Sequence, residues 1–225
     1  MPPFRHSHFW GLLEYRPQWT LTLKGWGILL LTLGLLISVI LLYLQPFLAM
    51  TERINAQALV VEGWIDEDGM GQAKKEFEQG NYQVLITTGE EVGAGSVFAQ
   101  YHSYAQLAAL TFQNLGVDAQ KIVAIPNPKV SKDRTAASAQ AVKNWILQSA
   151  LPITAINLYS YDVHSRRSWF IYDKILRPEL QVGILHFPSP YYNPQSWWLY
   201  SEGVRSVLSE AIAYLYALLV WQFTL

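Results

Sequence analysis

The sequence predicts a doubly wound α/β domain with a mostly parallel, Rossmann-like sheet, joined to an N-terminal transmembrane helix. Three observations predict it. No charged residue occurs from Gly25 to Thr51. Beyond that stretch, five short runs are apolar on both faces, as strands of a buried parallel sheet are. Between them lie helical patterns with no hairpin signal, which implies right-handed βαβ units.

The membrane segment comes first in the chain. Ile28 to Leu44 is almost purely Leu, Ile, Val and small residues. At 1.5 Å per residue such a run crosses a hydrocarbon core of ~30 Å. A cleaved leader needs a shorter apolar region and a small-residue cleavage site, and Gln45-Pro46-Phe47-Leu48 is a poor one. The run therefore reads as an anchor. Arg5, Arg16 and Lys24 precede it against one acid, Glu14, while only Glu52 and Arg53 follow closely. The positive-inside rule then places the N-terminus in the cytoplasm and the domain outside the plasma membrane. Trp10, Trp19 and Trp26 suit the inner interface belt. The expected division is a head over residues 1–24, the membrane helix over 25–50, a linker over 51–57 and the α/β domain over 58–225.

The strand candidates are Ala58–Val61, Val84–Thr87, Ile122–Ile125, Ala155–Tyr159 and Val182–Phe187. Helices are expected over Gly71–Gln79, ending at Gly80, and Gln100–Leu115, ending at Gly116; both glycines suit a left-handed C′ position. A third runs to Gln148 with Asp133 as its N-cap, and a fourth from His164 to Leu176, before Pro178. The last starts near Gln195. There Val204, Val207, Leu208, Ala211, Ile212, Leu215, Leu218 and Leu219 keep helical spacing, and that face is expected to cover the sheet.

Composition excludes some functions. The 225 residues contain no Cys, so disulfides and thiolate chemistry are absent. A net charge of −1 leaves no basic excess for nucleic acid. No GxGxxG, Walker or GxSxG pattern occurs, and the stretch Gly89 to Gly95 is Gly-rich at neither spacing. Glu62, Asp66 and Asp68 are acids of the kind that bind divalent cations, but loop acids are more often solvated or paired, so no metal site is assigned.

Doubly wound sheets bind ligands at the C-terminal edge of their strands. The loops at that edge carry Glu62-Gly63-Trp64, Gly89-Glu90, Arg134-Thr135 and His164-Ser165-Arg166-Arg167. Two arginines at a predicted helix N-terminus oppose the helix dipole, so they point either to an anionic ligand or to an ion pair with Glu62 or Glu90. Residues one apart do not share a helix face, so Arg166 and Arg167 are expected to differ in role. His164 reads either as a general acid or base or as a hydrogen-bonded structural imidazole. Tyr191, Tyr192, Trp197 and Trp198 offer either a contact surface or ordinary packing.

These loops resemble the YdcF/SanA/ElyC family of bacterial envelope proteins over about residues 56 to 217. Val60-Val61-Glu62-Gly63-Trp64 is similar to the family's first strand and turn, and Thr87-Thr88-Gly89-Glu90 to its second-strand turn. Leu115-Gly116-Val117 before Ile122 matches the lead-in to the third strand. Asp133 to Ala139 stands at an Asn-Thr-x-Glu-Asn-Ala motif, with Arg134 and Ala137 in place of its Asn and Glu. His164 to Ser168 aligns with a His-x-x-Arg-Ala motif, and Glu210 with a late Glu. The departures mark a distinct branch. The resemblance implies a membrane-anchored, Rossmann-like domain with a role in cell-wall biogenesis, and nucleotide-type ligands, S-adenosylmethionine among them. The expected site has His164 and Glu62 moving protons. Gly63, Gly89, Glu90, Arg134, Thr135, Arg166 and Arg167 would hold an anionic small molecule or a lipid-linked precursor. The competing expectation is a non-catalytic envelope scaffold.

Overall fold

The computed structural model describes residues 7–8, 13–14, 21–92 and 101–221. Arg5, Trp10, Arg16, Trp19, Gly93 and Gly95 lie outside them. Two units are distinguished, residues 1–40 and 41–225.

In the first, β1 (Ser7–His8) pairs antiparallel with β2 (Leu13–Glu14). Helix α1 (Leu23–Leu48) starts here and ends in the second unit. It is long and apolar enough to cross a bilayer.

The second unit contains a five-stranded sheet, all parallel, in the order β5-β4-β3-β6-β7. The strands are β3 (Ala58–Glu62), β4 (Val84–Glu90), β5 (Ile122–Asn127), β6 (Ala155–Tyr161) and β7 (Gln181–Phe187). The five expected strands are all present, and the four after β3 run two or three residues further into their loops or begin one earlier. The helices are α2 (Glu67–Gln79), α3 (Tyr104–Asn114), α4 (Arg134–Gln148), α5 (Ser165–Leu176) and α6 (Ser201–Trp221).

Alternate residues of β3 feed two cores, since successive strand side chains point to opposite faces. Ala58 and Val60 join Ile156, Leu158, Val142 and Tyr172 on the α4–α5 face. Leu59 and Val61 join Leu85, Phe77 and Phe112 on the α2–α3 face. The chain runs outward from β3 to β5, then returns to β6 beside β3. The topological switch point therefore lies between β3 and β6, and the crevice there is where such sheets hold ligands.

Three local expectations are corrected. Gly80 ends α2 in extended backbone (φ −88°, ψ 166°), whereas Gly116 does adopt a positive φ. Asp133 occupies the N-cap of α4 at φ 57°, and its side chain makes no capping bond. On α6 the expected core face is split. Val207 is buried and Val204 and Ala211 pack inward, but Leu208, Ile212, Leu215 and Leu219 are exposed. Tyr214 and Ala217 pack inward. This helix carries two apolar stripes, and periodicity alone does not say which one meets the protein.

The segment over 51–57, read as a linker, is bonded along its length. Glu52 pairs with Ile184, the Ile54 amide donates to Asn157 Oδ1 at 3.1 Å, and Gln57 Oε1 accepts from the Ala155 amide at 3.0 Å. The final turns of α1 pack in as well. Leu48 and Gln45 are almost fully buried, and Gln45 Nε2 donates to Asp162 at 3.2 Å.

Candidate functional site

Glu62 is the last residue of β3 and is 4% exposed. An isolated buried carboxylate is costly, so its partners matter. Ser160 Oγ donates to Oε2 at 2.6 Å and Ser168 Oγ to Oε1 at 2.8 Å. His164 Nε2 stands 3.6 Å from Oε1, a charge contact longer than a hydrogen bond. Burial would raise the Glu62 pKa, but His164 and the two hydroxyls outweigh it, and the carboxyl is held below its ordinary range.

His164 closes a short 3₁₀ turn, Asp162–His164, between β6 and α5. Its Nδ1 lies 3.0 Å from Glu210 Oε1 and 2.8 Å from an Arg167 Nη. A proton on Nδ1 serves Glu210; without it, Arg167 donates to the ring instead. Burial opposes charge on this ring. Glu62 and Glu210 together outweigh it and raise the imidazole to about 9. The two carboxylates therefore favour the imidazolium near neutrality, with the Arg167 guanidinium 2.8 Å from Nδ1 opposing it. Arg167 Nε donates to Glu210 Oε2 at 2.9 Å, and the same cations draw the Glu210 carboxyl down to about 2 against its burial. Two carboxylates and two cations make a charge-balanced quartet.

The quartet forms one wall of a cavity of about 920 Å³ at the strand edge. Trp64 lies edge-on to the His164 ring at 5.2 Å and also lines it. Ala213, Tyr216 and Ala217 of α6 close that side. Another wall is the start of α4, with Ser131, Lys132, Asp133, Arg134, Thr135 and Ser138. Arg134 is exposed and 3.6 Å from Glu90 Oε1. Glu90 Oε2 is buried with no hydrogen-bond partner among the described residues. The first turn of α4 has no side-chain cap, and Lys132, Asp133 and Arg134 stand beside it; its free amides are a favourable place for negative charge.

The floor needs two glycines. The Gly63 amide donates to the Thr88 carbonyl at 2.7 Å, and a Cβ there would stand 2.5 Å from that same oxygen. A Cβ on Gly89 would meet Tyr104 Cβ at 2.7 Å. Both turns close against the start of α3.

The structure thus brings Glu62, Gly89, Glu90, Arg134, Thr135, His164 and Arg167 around one cavity, with Gly63 beneath it. Arg166 is placed elsewhere. It stacks on the Phe47 ring at 3.9 Å and donates to the Phe47 carbonyl, so it clasps α1. Its neighbours do likewise: Ser165 Oγ donates to the Leu48 carbonyl at 3.1 Å and accepts from the Met50 amide at 2.8 Å. The expected difference between Arg166 and Arg167 is real, but Arg167 is already paired with Glu210. Sequence reasoning assigned no role to Ser160, Ser168, Lys132 or Ser138, and knew Glu210 only through the family motif. Glu210 had one signal of its own, as the single acid between Arg205 and the C-terminus.

The aromatic residues divide too. Trp197 and Tyr192 are buried, whereas Tyr191 is exposed. The contact-surface expectation therefore loses half its residues to packing.

No family model matches the chain, and no curated protein matches it.

Proposed function

We propose that the domain binds a phosphorylated or nucleotide-type ligand in the cavity at the strand edge, held on the outer face of the plasma membrane by α1. The observation that carries this reading is the asymmetry of the cavity. One wall is a buried quartet whose charges hold one another; on the other, Lys132, Asp133, Arg134 and Glu90 stand around the uncapped start of α4, with Arg134 exposed and only loosely paired with Glu90. An anion is the ligand that the free amides of the helix start and the exposed Arg134 guanidinium suit. The His164 imidazolium, with Nε2 beside Glu62, is arranged to give up a proton rather than to take one, so any chemistry would use it as an acid. The motif resemblance to the YdcF/SanA/ElyC family supports an envelope setting, with cell-wall or lipid-linked precursors as the ligand class. Topology rests on the charge bias around α1.

Binding would be measured by calorimetry on the full chain in nanodiscs. The panel is pyrophosphate, nucleotides, nucleotide-sugars, S-adenosylmethionine and a prenyl-phosphate analogue, each against wild type and Arg134→Ala. A ligand bound by wild type and weakened at least tenfold by the substitution supports the site. Equal affinity in both proteins would reject the α4 wall, and a folded wild type silent across the panel would reject the reading.

A further inference from the structure

We infer that the turn Pro194–Tyr200 is a second membrane contact, inserted beside α1 into the interface between headgroups and acyl chains. This rests on the reading of α1 as a membrane anchor.

The argument begins with depth. Trp197 Nε1 donates to the Leu41 carbonyl at 2.8 Å. Leu41 lies three residues inside the end of the apolar run at Leu44, ~4.5 Å along the helix. A turn bonded at Leu41 cannot lie above the membrane surface if Leu44 lies within it.

Surface chemistry agrees with that depth. Leu199 is 75% exposed and Tyr200 42% exposed. On α1, Leu42 and Tyr43 beside the same carbonyl are 58% and 65% exposed. Trp198 packs edge-on to Trp197 at 6.0 Å. Aromatic residues with apolar bodies and polar tips gather at the membrane interface, and an exposed Leu in a turn is at home in acyl chains. The lipid bilayer is the occupant we assign, because the turn is tied through Trp197 to Leu41 and packs with Leu41 and Leu44 of the apolar helix.

The consequence concerns the cavity. Tyr200 leads directly into α6, which carries Glu210. The turn would fix one cavity wall at the height of the headgroups, where a lipid-borne phosphate is found.

The absence of Cys makes the test direct. Nitroxide labels at Leu199→Cys, Tyr200→Cys, Leu36→Cys and Gln120→Cys would be compared in full-length protein in nanodiscs. The reading is the ratio of oxygen to nickel-complex accessibility. Leu36 reports the anchor, and Gln120 sits at the opposite edge of the sheet, before β5. Ratios at 199 and 200 several-fold above that at 120, approaching that at 36, support the contact. If 199 and 200 read like 120 while 36 reads as lipid, the contact is overturned and the anchor survives. If 36 also reads as water, both are overturned.

Discussion

On one wall of the cavity Glu62, His164, Arg167 and Glu210 hold one another in a buried quartet; on the other, Lys132, Asp133 and Arg134 stand at a helix start, where the contact of Arg134 with Glu90 is long and exposed. The first wall is nearly dry, and every charge in it has a counter-charge within 4 Å. The second is solvated, with Arg134 72% exposed. A charge that is spent on internal pairing cannot also grip a ligand without breaking the pair. Charges near a helix N-terminus that oppose its dipole are, by contrast, a standing cost unless an anion arrives. The two walls should therefore answer differently to perturbation: the first through stability, the second through binding.

Truncation should give the largest effect. The loop carrying His164 is bolted to the end of α1 through Gln45, Phe47 and Leu48, and to Met50 just beyond it. A fragment starting at residue 51 loses those contacts and unburies their partners. Burial of one Leu is worth about 1.5–3 kcal/mol, so the loss over these turns should lower the melting midpoint by roughly 10 °C. Comparison of the full chain in detergent with the fragment tests this. Equal midpoints would mean that the first wall stands without α1.

Next in size is Glu62→Ala. It strands the Ser160 and Ser168 hydroxyls and leaves His164 with one carboxylate. Breaking a buried pair by removing one partner costs about 3–5 kcal/mol. Glu62→Gln, which keeps the shape and one acceptor, should cost less, and both should lower the His164 pKa. Chemical denaturation gives the first quantity and histidine NMR the second. A loss below about 1 kcal/mol for Glu62→Ala would show that the quartet does not hold the wall.

The members of the first wall are named from the sequence, Glu210 through the family motif alone, but the way they pair is not legible there. Strands are legible because a two-sided apolar run such as Val84–Thr87 has few other homes. His164 and Arg167 are legible because cations at a helix start call for an explanation. Glu210 lies 43 residues beyond Arg167, on a helix whose two apolar stripes conceal which face turns inward. Ser160 and Ser168 matter only because β3 and β6 are neighbours, a fact of topology. Arg166 was misleading for the opposite reason: its partner, Phe47, belongs to a segment that composition assigns to the membrane.

The pH dependence sets the two walls apart more finely. His164 has its folded pKa raised to about 9 from an ordinary 6.5. Its contribution is complete below pH 6.5 and is lost as pH rises through 9. Glu210 has its folded pKa lowered to about 2 from 4.5. Its contribution is complete above pH 4.5 and is lost as pH falls toward 2. Stability from this wall should therefore plateau between about pH 4.5 and 6.5 and decline on both sides. Melting midpoints across pH 3 to 10 check it. A profile flat from 6.5 to 9 would remove the case for the imidazolium.

The smallest effect on stability is expected at Arg134, and it discriminates best. Its pairing with Glu90 at 3.6 Å is exposed, and such pairs are worth about 0–1 kcal/mol. Arg134→Ala should thus leave the melting midpoint within about 2 °C of wild type. Arg167→Ala should not, because it leaves Glu210 without its guanidinium and His164 with a changed neighbour. For a phosphorylated ligand the order reverses in meaning. A charge-assisted bond to phosphate contributes about 1.5–3 kcal/mol, so Arg134→Ala should weaken binding roughly 10–100-fold in a protein that is otherwise intact. Loss of binding in Arg167→Ala alone, with Arg134→Ala binding as wild type does, would move the anion to the first wall. The ligand would then have to displace Glu210 from Arg167, and binding should strengthen as Glu210 is replaced by Gln.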